Sequence, residues 1–283
     1  MVDYAVHGAV ATITLCNPAR RNAMTRAMWR DLREAVEAVN RFQNNSCLRT
    51  TGAGQQPMSS SYTDDVRCVI VRGEAGHFCA GGDISEYPEF RFDETSLRHF
   101  HEEEVAPALH ALLACDLPLV AQIEGNCMGG GLEIAACCDI RVAGQGATFG
   151  APIAKLGMPM APQELAIVLR AAGETTVREM LLEARIFDSA QMQSRGFVQR
   201  VVADADVANE AQATAQRICA LSPLAARLNK QALRAFSESN MPTTNVEYAQ
   251  AATKLIANSY HYAQHAEHVA GITAFLQKRQ PKF

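Results

Sequence analysis

Residues 119–138 read LVAQIEGNCMGGGLEIAACC. An apolar run of strand character, 119–123, leads through a glycine-rich turn into an apolar helical stretch that carries one acid, Glu133. At a helix start the first N–H groups have no intrahelical partner, and they carry the positive pole of the helix dipole. Gly129, Gly130 and Gly131 leave that backbone bare, so a ligand can approach without a Cβ in the way. Such a turn suits an anion, or an oxygen that becomes anionic during reaction. A close-packed turn with no ligand is the plainer alternative. Glu133 could likewise do no more than stabilise the helix N-terminus, by about 0.3–1 kcal/mol. The pattern is neither the P-loop G-x-x-x-x-G-K-[ST] nor the dinucleotide G-x-G-x-x-G.

Further upstream, HFCAGGDI at 77–84 has the same form, a strand, then small residues, then an acid. Two turns now offer bare N–H groups, and an oxyanion hole for a carbonyl needs two converging donors.

The rest of the chain frames these turns. Residues 10–15 read as a strand, and NPARRNAMT (17–25) as a turn ending in a helix N-cap at Thr25. Met28, Leu32, Val36 and Val39 follow at helical spacing. Residues 44–65 are polar and nearly aperiodic, which reads as a surface insertion, with a lid over a site as the alternative. RCVIV (67–71) is a short buried strand. Residues 96–114 read as a helix that Pro107 interrupts, and 140–143 return to strand character. Alternating strand and helix predicts an α/β core over 1–200. Helical patterns at 161–172, 176–184, 207–221, 223–237, 246–259 and 267–278 follow, so 201–283 is expected to be a helical C-terminal region.

Composition narrows the function. A chain of 283 residues with formal charge −4 carries no basic run interleaved with aromatics, which argues against nucleic-acid binding. No apolar run approaches the roughly 20 residues needed to span a bilayer. The N-terminus MVDYAVHGAV lacks a signal-peptide pattern, so the cytoplasm is the expected location. Nine cysteines without a C-x-x-C pair fit neither a disulfide framework nor a zinc site. HFHEEE (99–104) reads as a solvated helix face rather than a metal cluster, so neither His99 nor His101 is expected to act in catalysis, nor is His77.

Taken together these motifs resemble the crotonase family, the enoyl-CoA hydratase/isomerase superfamily. HFCAGGDI resembles its first oxyanion segment, EGNCMGGGLEIAACCDIRVAG (124–144) its second, ATFGAPIAKLGMPM (147–160) the strand and loop that follow, and AFLQKRQPKF (274–283) its C-terminal ending. The likeness covers nearly the whole chain outside 44–65. It implies a core of repeated ββα turns with a helical C-terminal region, and a homotrimer or a hexamer of two trimers. It also implies an acyl-CoA thioester as substrate, CoA being its only cofactor-like part, in fatty acid metabolism. Carried over by position, the oxyanion donors are the backbone N–H groups of Ala80 and Gly130, and Glu133 is the first of two catalytic glutamates. Gly81, Gly82, Asp83, Ile84, Gly129, Gly131 and Ile153 would line the substrate. Arg21, Lys278 and Lys282 would be cations for the CoA phosphates, or plain solvated charge.

One position departs from the family. The second glutamate of the hydratases follows a proline in a segment like ATFGAPIAKLG, and here Pro152 is followed by Ile153. An isoleucine can neither transfer a proton nor hold a water. Lys155 is expected to share the face of Ile153 if 153–155 is a strand. Glu164 is expected to be a favourable charge in a first helical turn. The main reading is an enoyl-CoA hydratase-like enzyme with Glu133 as its one acid/base. A crotonase-type decarboxylase or lyase, which needs the oxyanion hole more than a carboxylate pair, is the enzymatic alternative. A CoA-ester-binding protein without activity is the third.

Overall fold

Alternation along each strand decides which of two cores a side chain enters. The computed structural model describes residues 1–47, 66–238, 258 and 260–283. Its main sheet runs in the order β1 (Val2–His7), β2 (Val10–Leu15), β3 (Cys68–Gly73), β4 (Leu119–Ile123), β6 (Ile140–Gly144) and β9 (Arg200–Val202). β1 and β2 are antiparallel, and every later neighbour is parallel. Ala11, Ile13, Val69, Val71, Leu119, Ala121 and Ile123 point into the larger core, with Leu32 and Val36 of α1 (Arg26–Cys47). Cys68, Ile70, Val120 and Val142 point the other way, against Val207, Ala211 and Ala215 of α8 (Val207–Cys219). Parallel strands covered on both faces read as continuous apolar runs, which is why RCVIV and LVAQI stand out in the sequence.

A second, three-stranded sheet lies beside the first in the order β5 (Asn126–Met128), β7 (Thr148–Gly150), β8 (Ile186–Asp188). Cys79 bridges to Cys127, so the first glycine segment runs alongside β5. α1 begins as expected, with Thr25 Oγ1 accepting the Met28 N–H at 3.2 Å. α2 (Glu94–His99) and α3 (Ala106–Ala114) are not broken at Pro107. A π-helical turn, Phe100–Val105, joins them, and the Ala106 N–H reaches back five residues to the His101 carbonyl. That wider turn lets a proline missing its N–H sit at the start of α3.

Then come α4 (Gly130–Cys137), α5 (Pro162–Ala172), α6 (Glu174–Leu182), α7 (Ser189–Ser194), α9 (Pro223–Glu238) and α10 (Ala266–Leu276). The architecture is α/β with a helical C-terminal region. The division expected at residue 200 falls inside β9, and α8 beyond it covers a face of the main sheet. Residues 44–47 continue α1, while the rest of the expected insertion, 48–65, lies outside the described residues. So does the helix expected at 246–259, Asn258 excepted. Residues 152–156 are a 3₁₀ turn rather than a strand. No described helix is long and apolar enough to cross a membrane.

Candidate active site

The turn at 17–24 holds the first glycine segment. Asn22, fully buried with φ 59°, donates from Nδ2 to the carbonyls of Glu74 (2.8 Å) and His77 (2.7 Å). Ala80 donates its N–H to the Arg21 carbonyl at 2.9 Å. That bond corrects the expectation for Ala80, because a spent N–H cannot also serve a substrate oxygen. Two residues on, Gly82 forms a parallel bridge with Met24. Its bonds, Met24 N–H to Gly81 O at 2.7 Å and Asp83 N–H to Met24 O at 2.8 Å, come from the residues flanking Gly82. The N–H of Gly82 itself therefore points away from Met24, and it has no partner among the described residues. Gly81, at φ 107°, makes this change of side possible.

Gly129 ends the second turn with φ 46° and ψ −115°, a conformation only glycine adopts readily, and its N–H donates to Gly150 O at 2.9 Å. The two turns touch, since a Cβ built on Gly129 would lie 3.6 Å from the Gly81 Cα. Gly130 opens α4 with an N–H that no described residue accepts. Gly131 is different. A Cβ there would meet the Cys79 Cβ at 2.7 Å, so it serves helix-to-strand packing and does not line the site.

A cavity of about 200 Å³ opens between the turns. Gly81, Gly82, Ile84, Gly129, Gly130, Glu133 and Ile153 line it as expected, and Trp29, Tyr87, Arg91, His101 and Glu164 line it too. Glu133 is buried and makes no side-chain hydrogen bond or ion pair among the described residues. Burial pushes its carboxyl up to about 8, the charge of Glu164 adds to the rise, and Arg91 opposes it. Glu133 therefore holds a proton near neutral pH and can give it up. Cys79 lies close by, but burial pushes its thiol to about 12, which leaves no thiolate to act as a nucleophile.

Three buried side-chain polar atoms lack a hydrogen-bond partner among the described residues: Trp29 Nε1, Arg91 Nε and Glu164 Oε2. All three belong to residues lining this cavity. Buried polar groups are otherwise satisfied almost without exception, so unmet hydrogen-bonding capacity among the described residues is concentrated at this cavity.

Several expectations need correcting. Asp83 does not line the cavity; its Oδ1 accepts the Ser85 N–H at 3.1 Å and pairs with Arg20 at 2.6 Å. Lys155 is exposed and shares no strand face with Ile153. His77 stays structural, its Nδ1 accepting the Asn126 N–H at 3.3 Å. His101 and Glu104 are not a solvated face. Glu104 is buried against Arg26 (2.5 Å), and His101 Nδ1 lies 2.9 Å from Glu164 Oε1. Glu164 does sit in the first turn of α5, but its side chain is only 3% exposed and turns to His101. No local pattern announces a contact between residues 63 apart in the chain. Arg21, Lys278 and Lys282 are exposed and outside the cavity.

A larger hollow, about 740 Å³, lies between α9, α10 and the C-terminal Phe283. Its acid, Glu267, is spent on Ser222 Oγ and the Leu224 N–H at the start of α9. Size alone does not make it the chemical site.

The sequence model described as enoyl-CoA hydratase/isomerase matches residues 5–283. The 2,3-dehydroadipyl-CoA hydratase of Escherichia coli strain K12 is 30% identical over 275 residues, 97% of this chain and 94% of that one. A Mycobacterium tuberculosis protein named "Probable enoyl-CoA hydratase echA8" is 30% identical over 90% of this chain and 95% of its own. The crystal structure of an enoyl-CoA hydratase/carnithine racemase from Magnetospirillum magneticum superposes with a TM-score of 0.84 at 33% identity, covering 100% of this chain and 94% of that one. The match covers residues 5–283, and the chain belongs to the enoyl-CoA hydratase/isomerase, or crotonase, family.

Proposed function

We propose that this crotonase-family enzyme hydrates an enoyl-CoA thioester, polarising the thioester oxygen on the N–H groups of Gly82 and Gly130 and moving a proton with Glu133. The observation that carries the reading is that two unpartnered N–H groups and a carboxyl raised to about 8 border one cavity. Donors fixed before the substrate arrives need no reorganisation as charge grows on the oxygen, and one such donor is worth about 10²–10³ in rate. Glu133, protonated near neutral pH, supplies the proton that Cα gains while water adds at Cβ, and over the turnover the proton that the water loses restores the acid form of Glu133. The acyl-CoA class is supported by the names of the relatives. A homotrimer, or a hexamer of two trimers, goes with the reading, and sedimentation of the purified protein tests it.

Decarboxylation of a malonyl-type thioester is the second reading, favoured by the apolar Ile153 on the cavity wall. Glu133 and Glu164 weigh against it, since a third carboxyl group would join two others in a small cavity, and each would make it harder for its neighbours to ionise. Crotonyl-CoA separates these readings through loss of the conjugated enoyl-thioester absorbance. Hydration gives fast loss that Glu133→Gln cuts by about 10²–10⁴-fold while CoA-ester binding persists. Binding without any loss of absorbance sinks hydration of short enoyl groups and turns attention to decarboxylation. Turnover unchanged by Glu133→Gln removes Glu133 from the chemistry.

A further inference from the structure

Glu164 reaches the active-site cavity from α5, an element separate from the 3₁₀ turn that carries Ile153. One of its oxygens, Oε1, is held by His101 Nδ1 at 2.9 Å. The other, Oε2, is buried and has no partner among the described residues. A first-turn charge that merely steadied its own helix would account for neither feature. His101 is itself fixed. Its carbonyl accepts the π-turn bond from Ala106, and its ring stands edge-on to Phe100 with 5.0 Å between centroids. Three residues on, Glu104 ties the same turn to Arg26 of α1. Glu164 also acts electrostatically on Glu133, which it raises.

We propose that Glu164, positioned by His101, is the second catalytic carboxylate of this enzyme, supplying from α5 the function that Ile153 cannot. This rests on the hydratase reading above. The water oxygen forms the C–O bond at Cβ, and the electron pair of the double bond moves to Cα and takes the proton of Glu133. Glu164 takes the proton that the water loses. Glu164 then returns a proton to Glu133 through the next water, so the pair is reset and nothing is oxidised or reduced. His101 is a positioning residue, holding Oε1 so that Oε2 faces the water.

Three readouts on the full-length protein test this: hydration of crotonyl-CoA, affinity for butyryl-CoA, and deuterium exchange at Cα of butyryl-CoA in D₂O. Glu164→Gln is expected to lower the hydration kcat by about 10²–10⁴-fold while keeping both ester affinity and Cα exchange, which need only Glu133 and the oxyanion donors. Glu133→Gln should lose hydration and exchange together. Adding Ile153→Glu to Glu164→Gln should recover at least about tenfold of the lost rate. His101→Leu should reduce kcat by about tenfold or more, and His101→Asn, which can still donate to Oε1, should restore most of it. If Glu164→Gln fails to fold, Glu164→Asp takes its place, keeping the charge but withdrawing it from His101, with a loss expected in kcat and not in affinity. A wild-type enzyme that hydrates, with Glu164→Gln within about threefold of it, overturns this proposal and leaves the hydratase reading standing. A wild-type protein that binds the ester and adds no water overturns both.

Discussion

Asp83 and Glu133 each follow a glycine turn, and the two turns touch, yet the acids sit in opposite electrostatic settings. Asp83 accepts from the Ser85 N–H and hydroxyl and pairs with Arg20. Glu133 has no such partner and is raised to about 8 by burial and by Glu164. Sequence alone presents them as equivalents, small residues followed by an acid. The difference teaches that a satisfied charge holds structure together, whereas a buried, unsatisfied one at a cavity is available for chemistry. The same test separates Glu104, buried but paired with Arg26, from Glu164, which keeps one oxygen free.

The largest effect expected of breaking this comparison comes from the turn that feeds Glu133. A Cβ on Gly130 would lie 2.8 Å from the Trp29 ring, so Gly130→Ala must push the start of α4 away from its place. Displacement of an oxyanion donor by a fraction of an ångström should lower kcat for crotonyl-CoA by about 10²-fold. Trp29→Phe removes the ring atoms in the way and should return much of that rate in the double variant. A single Gly130→Ala variant with full activity would show that the second turn donates nothing to the reaction.

Next in size is a pH effect on stability. Burial lifts the folded-state Glu133 above its ordinary 4.5, to about 8, so the folded chain holds this proton more tightly than the unfolded chain does. The contribution of Glu133 to stability is then most favourable below 4.5 and is lost as pH rises through the window to about 8. Glu164 from α5 and Arg91 with Tyr87 from segment 84–91 face it, as do Cys79 and Cys137, and of these only Arg91 favours the anion. Glu133→Gln, which cannot ionise, should therefore be more stable than wild type at pH 8 by roughly 1–3 kcal/mol, or several degrees in Tm, and near parity at pH 5. Thermal unfolding of both proteins across that range reads the difference. A gap that does not widen with pH would mean that Glu133 is not a buried proton-holder.

How much of this was legible depends on whether the signal was local. Strands such as 119–123 lie in short windows with their own periodicity, and β4 forms there. The glycine turns and Glu133 lie in short motifs, Ile153 is singled out by the family resemblance, and all of these border the cavity. Strands β5, β7, β8 and β9 have three residues each, too few to show alternation. The resemblance assigns a donor to Ala80 by position, and nothing in HFCAGGDI reveals that the Arg21 carbonyl, in the preceding turn, accepts its N–H. The N–H left without a partner among the described residues is that of Gly82, because a positive φ at Gly81 changes which side the backbone faces, a fact that side-chain order does not encode. In sequence His101 reads as part of a solvated helix face and Glu164 as a favourable charge in a first helical turn, for the same reason: each has a local role of its own, and their pairing exists only in three dimensions.

The smallest effect belongs to the acid of the first turn. Asp83→Ala removes the bond to the Ser85 N–H and the pair with Arg20. The cap bond carries most of the value, because Arg20 is half exposed and ion pairs of that kind are worth at most about 1 kcal/mol. Loss of a cap costs about 0.5–2 kcal/mol. Asp83→Asn keeps an oxygen to accept from Ser85 and gives up only the charge, so it should cost less than Asp83→Ala in denaturant unfolding. Neither variant touches the Asp83 N–H, whose bond to Met24 O orients Gly82. Hydration rates should therefore stay within a few-fold of wild type in both, measured with crotonyl-CoA below saturation as well as above it. A loss of more than about tenfold in Asp83→Asn, with stability intact, would place the first acid in the chemistry beside the second and undo the contrast between them.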